Sequence, residues 1–75
     1  MKILFCGYRS WALQIFHELS NRGDLVLAQN TEELYEKLEE HEFTTLLFIG
    51  WSWIIREDII NTYKCICLHP SPLPK

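Results

Sequence analysis

Four short apolar runs recur along the chain, separated by three stretches of helical period. The runs are "KILFCGY" (Lys2–Tyr8), "LVLAQ" (Leu25–Gln29), "TTLLFIGW" (Thr44–Trp51) and "CICLH" (Cys65–His69). Each has the length of a strand, and the first and third contain a glycine near their end. Neither shows clean polar alternation, as expected of strands covered on both faces. Between the first two runs, "SWALQIFHELSNRG" sets Ala12, Ile15, Phe16 and Leu19 at i, i+3, i+4 and i+7. That spacing gives a helix one apolar face. Ser10 reads as its N-cap and Gly23 as the residue just past its end. "NTEELYEKLEEHEF" reads as a second helix, capped by Thr31, with Leu34, Tyr35 and Leu38 as its stripe. Glu32 and Glu33 suit the positive end of its dipole. "REDIINTY" gives a short third helix with Ile55, Ile59, Ile60 and Tyr63 inward.

The order β-α-β-α-β-α-β predicts an α/β fold, a Rossmann-like open parallel sheet with right-handed crossovers. Seventy-five residues allow one small domain, and a chain of this size buries only about 60% of its unfolded surface. The net charge of −3 argues against a nucleic-acid-binding surface on this part of a protein. "MKILFCG" is too short for the apolar core of a signal peptide, and no run approaches the ~20 residues of a membrane span. Three cysteines, none in a C-x-x-C pair, make a disulfide framework an unsuitable reading and the cytoplasm the default location.

Ligands of open α/β sheets bind beyond the carboxyl ends of the strands. Four segments point there: Gly7-Tyr8-Arg9-Ser10, Gln29-Asn30, Gly50-Trp51-Ser52-Trp53 and His69-Pro70-Ser71. The first, "GYRSWA", has one glycine where a dinucleotide fold has G-x-G-x-x-G, and no Walker A loop is present. Arg9 and Ser10 could hold an anion at a helix N-terminus, and capping alone also explains Ser10. Trp51 and Trp53 lie on one side for as long as the strand stays extended. They could wall an aromatic ring or pack on the third helix. Cys65, Cys67 and His69 share one strand face, but alternate side chains stand roughly 7 Å apart. Zinc–ligand bonds of about 2.0–2.3 Å need converging ligands, so no metal is expected. His69 stands at a strand's end before Pro70, Pro72 and Pro74, which stiffen the exit loop. That position suits a catalytic imidazole. His17 and His41 read as surface or packing residues within helices.

"HPSPLPK", preceded by "GWSWIIREDIINTYKCIC", resembles the folate-dependent formyltransferase family. That family includes methionyl-tRNA formyltransferase, glycinamide ribonucleotide transformylase and the sugar N-formyltransferases. Its loop reads N-x-H-x-S-x-L-P, and His69, Ser71, Leu73 and Pro74 match it. The likeness follows the whole chain in element order, with the specific residues in the last twelve or so.

The resemblance implies transfer of a formyl group from 10-formyltetrahydrofolate to a substrate amine. It implies that His69 hydrogen-bonds the oxyanion as the amine attacks. It puts Trp51, Ser52, Trp53, Ile54 and Ile55 beside the folate, and Tyr8, Arg9, Ser10 and Ser71 toward the acceptor. The acceptor would be a small amine, a nucleotide-linked amino sugar among the options. Cys67 stands where the family has asparagine, and a thiol is a weak donor beside an amide. The family aspartate lies downstream of this loop, past Lys75. The expectation is therefore the N-terminal half of a single formyltransferase domain over residues 1–75, inactive by itself. A noncatalytic Rossmann-like binding or assembly module, self-associating through open sheet edges, is the alternative.

Overall fold

The computed structural model describes residues 2–68. Its elements are β1 (Lys2–Cys6), α1 (Ser10–Leu19), a 3-10 turn (Ser20–Arg22), β2 (Asp24–Ala28), α2 (Thr31–Glu40), β3 (Thr45–Ile49), α3 (Glu57–Thr62) and β4 (Lys64–Leu68). All strand pairs are parallel, in the order β2-β1-β3-β4. The fold is thus α/β with an open four-stranded parallel sheet.

The apolar runs are strands because each is covered on two sides. Along β1, Leu4 and Cys6 face one core while Phe5 faces another. The first core takes Leu34 from α2, Ile59 from α3, and Leu46 and Phe48 from β3, with Phe43 between α2 and β3. The second takes Ala12 from α1 and Ile49 from β3, with Ile15, Phe16, Leu25, Leu27 and Leu47 around them. The Phe5 and Phe16 rings meet edge to face at 5.4 Å. Leu4, Phe5, Leu46, Phe48 and Ile49 are almost wholly excluded from water. Each such side chain contributes about 1.5–3 kcal/mol relative to exposure. Helices α2 and α3 therefore cover one face and α1 the other, as a doubly wound sheet requires.

Several local expectations change. Ser10 is already helical and Arg9 is the N-cap of α1, with no side-chain capping bond. Gly23 is not a left-handed terminator. Its backbone is extended (φ 172°, ψ −171°), and the 3-10 turn ends the helix instead. Asn30, not Thr31, caps α2: its side-chain oxygen accepts from the Glu33 N–H at 2.8 Å. Glu33 reaches back to accept from the Gln29 N–H at 2.8 Å, completing a reciprocal cap. Ile59 is buried, whereas Ile60 is 49% exposed rather than inward. At six residues α3 has room for a stripe only one residue wide. Arg56 precedes it, bonding Asp58 at 2.6 and 3.0 Å and lying 5.1 Å over the Tyr35 ring of α2. The hydrogen bond from Arg56 holds the Asp58 carboxyl below the ordinary range.

The strand order fixes where a ligand can sit. From β1 the chain passes to β2 on one side, then returns across to β3 on the other. The exits of β1 and β3 therefore diverge, leaving a crevice at the carboxyl edge between them.

Candidate functional site

The β1 exit carries Tyr8 and Arg9, and the β3 exit carries Trp51, Ser52 and Trp53. Two glycines bring these exits together. Gly7 lies under α1, where an added Cβ would stand 3.0 Å from the Ala12 Cβ and 3.2 Å from the Ile49 carbonyl oxygen. Gly50 turns the chain out of β3 with φ +62°, beneath the Trp11 indole. A side chain there would be strained twice, by backbone and by contact.

Across the crevice the Tyr8 hydroxyl hydrogen-bonds the Ser52 hydroxyl. Arg9 Nη2 donates to Ser52 Oγ at 3.5 Å, and the guanidinium stacks 5.1 Å from the centre of the Tyr8 ring. The Trp53 ring is 4.8 Å from Tyr8 at 52°, and Trp51 is 4.8 Å from Trp53 at 71°. Trp51 in turn meets Phe48 edge to face at 5.6 Å. A row of aromatic rings thus runs from the buried core to the surface, ending under a cation. Among the described residues no carboxylate pairs with Arg9. Such a corner offers aromatic faces to a planar ring and guanidinium donors to an anion.

The residues named from sequence do not all meet. Tyr8, Arg9, Ser52 and Trp53 meet in this corner. Trp51 and Ile55 belong mainly to the core beside α2 and α3, while Ile54 is 93% exposed. Ser10 opens α1 and lines a shallow hollow of about 740 Å³ along its outer side with Leu13, Gln14 and His17. That hollow lacks the aromatic corner's residues. His69 and Ser71 lie outside the described residues. β4 ends at Leu68, whose carbonyl accepts from the Gly50 N–H at 3.1 Å, so it stops at the same carboxyl edge.

Cys67 is exposed on the face that carries α2 and α3, level with Phe48. Cys65 shares that face, and its thiol pKa is raised, chiefly by burial and then by Cys67. Cys6 is buried under the same helices. Burial pushes its thiol far up, with smaller effects from Cys65 and Cys67. Neutral thiols at Cys6 and Cys65 suit packing better than ligation. Among the described residues no three His, Cys, Asp or Glu side chains gather where a metal could bind. His41 accepts from Lys2 Nζ at 3.2 Å in its neutral form and packs edge to face on Phe43. His17 is exposed near the end of α1.

Sequence reasoning placed Trp51 beside Trp53 but missed that Tyr8 joins them. The available signal was the pair of glycines, one ending each strand whose exit enters the corner. No family model, curated protein or solved structure matches the chain.

Proposed function

We propose that the chain is the N-terminal portion of a 10-formyltetrahydrofolate-dependent formyltransferase, a one-carbon transferase acting on a substrate amine. The observation that supports this most is the aromatic corner of Trp53 and Tyr8 at the exits of β3 and β1. Trp53 belongs to the Trp51–Ile55 stretch that the sequence likeness puts beside the folate, and its exposed ring suits one side of a planar heterocycle. Ser52 and Arg9 offer donors at its rim. Bound there, 10-formyltetrahydrofolate would supply the formyl group, with Trp51, Ser52, Trp53, Ile54 and Ile55 as its neighbours. Tyr8, Arg9 and Ser71 would face a small amine acceptor, such as a nucleotide-linked amino sugar, whereas Ser10 lies apart along the outer side of α1.

His69 follows Leu68 directly and would donate to the oxyanion. Loss of one such donor costs about 10²–10³ in rate. Cys67 occupies the asparagine position of the family loop, and its thiol is the weaker donor. In this reading the 75-residue chain is inactive alone and works in the cytoplasm as part of a longer enzyme.

The test is the reading frame beyond codon 75. It is expected to encode arginine and glycine next and an aspartate later, and its product to transfer formyl groups. His69→Ala in that product should lower turnover by about 10²–10³ with an unchanged circular dichroism spectrum. A stop codon after Lys75, or activity within a few-fold of wild type, overturns the reading.

A further inference from the structure

Between β3 and α3 the chain runs from Gly50 to Arg56 without helix or strand. Both ends of this segment are held. Gly50 donates its N–H to the Leu68 carbonyl at 3.1 Å, and Trp51 packs on the core beneath α2 and α3. At the other end Ile55 packs on the same core, while Arg56 bonds Asp58 and lies over the Tyr35 ring. The tip between these anchors, Ser52-Trp53-Ile54, is exposed. Trp53 is 42% and Ile54 93% exposed, and neither belongs to the two cores.

The tip is tied across the crevice to the β1 exit. The Tyr8 and Ser52 hydroxyls hydrogen-bond each other, and Arg9 Nη2 donates to Ser52 Oγ at 3.5 Å. The Trp53 ring stands 4.8 Å from Tyr8 and 4.8 Å from Trp51. Water reaches these groups and competes for the hydroxyls. One neutral hydrogen bond of this kind shifts an equilibrium by only about 2- to 12-fold. The tip can therefore turn about an axis through Trp51 and Ile55 without unpacking either anchor.

We propose that Ser52-Trp53-Ile54 is a flap, latched here by Tyr8, that turns outward to admit a planar ring between Trp53 and Tyr8. A ring held between two others needs them roughly 7 Å apart, twice a carbon contact distance of about 3.5 Å. At 4.8 Å the two rings leave no such gap. Trp53 itself fills the place on Tyr8, an autoinhibitory contact that a ligand has to displace. With a ring inserted, Trp53 covers its outer side, and Ile54 gives the flap a second apolar side chain to lay over it. Closure of this kind excludes water from a site. The flap stands on this geometry alone, and its use as the entry to a folate site rests on the formyl-transfer reading.

Nuclear magnetic relaxation dispersion on the 75-residue chain, with no ligand added, reads the flap directly. Lid motions fall in the microsecond-to-millisecond range that the method detects. Exchange is expected at Ser52, Trp53 and Ile54 and not along Thr45–Ile49. Tyr8→Phe keeps the ring and loses the hydroxyl, and Ser52→Ala removes the other partner. Each should raise the open population about 2- to 12-fold, with an unchanged circular dichroism spectrum. Flat profiles at the tip in all three chains, or an open population that neither variant raises, overturn the proposal. Titration with folic acid, whose pteridine is planar, separates the flap from the folate reading. Tyr8→Phe should bind it more tightly by about the factor seen in the open population, because apparent affinity scales with the competent fraction. Binding that Tyr8→Phe leaves unchanged or weakens overturns the autoinhibitory contact. Exchange at the tip without any folic acid binding upholds the flap and removes the folate reading.

Discussion

Replacing Gly50 with alanine is expected to destabilise the fold by about 2–5 kcal/mol. Two separable costs make up that figure. The backbone at Gly50 has φ +62°, and an L-residue there costs roughly 1–2 kcal/mol. The new methyl would also stand 2.6 Å from Cζ2 and 2.9 Å from Cη2 of Trp11, well inside ordinary contact. Overpacking of this kind costs about 1–3 kcal/mol. A chain of 75 residues has a total stability of only roughly 4–11 kcal/mol, so the loss is a large share of it. Urea unfolding followed by far-ultraviolet circular dichroism measures it. Trp11→Leu removes the two clashing ring atoms but keeps an apolar side chain on α1. In that background Gly50→Ala should cost only the backbone part. Gly23→Ala is the control: its backbone is extended and a methyl would meet nothing within 4 Å. A Gly50→Ala loss below about 0.5 kcal/mol, within the ordinary surface range, would refute the reasoning. An equal loss in both backgrounds would refute its steric half.

Two further outcomes follow from buried and capping groups. Burial raises the Cys6 thiol pKa in the folded chain, so Cys6 stabilises fully below the unfolded thiol value of about 8.5 and progressively less as pH rises above it. Above that pH the wild-type chain should lose up to ~1.4 kcal/mol per pH unit more than Cys6→Ala, read from paired denaturation curves. Asn30→Ala should cost about 1 kcal/mol by the same assay, because the Glu33 N–H loses its acceptor, whereas Thr31→Ala should cost less.

The succession of strands and helices was legible because each apolar run is short and each helix carries its own stripe. Their order across the sheet was not. Alternation along the chain is the same whether β3 pairs with β1 or with β2, and only the packed sheet sets β1 at its centre. That order determines which exits face each other, so the hydrogen bond between the Tyr8 and Ser52 hydroxyls, across 44 positions, could not be read from spacing. The caps were misassigned for a local reason. Asn30 and Thr31 are both good caps, and the choice rests on which residue keeps an extended backbone; Asn30 does, with φ −156°. Ile60 was misplaced because a six-residue helix makes too few turns for periodicity to distinguish its sides. Trp51 and Trp53 were read correctly as neighbours, although Gly50 ends the strand before either of them.

The central place of β1 has a kinetic consequence during synthesis. Of these four strands the first made is the one that both β2 and β3 must flank; pairing with β2 closes a loop that contains α1, and pairing with β3 one that contains α1, β2 and α2. Loop closure must precede the gain from such non-local pairs, which slows folding. At about 5–20 residues per second, Thr45–Ile49 follows β1 out of the ribosome by roughly 2–9 s. For that interval Leu4, Phe5 and Cys6 have at most one of their two flanking strands available to cover them, and a chaperone that recognises short apolar segments has its opening there.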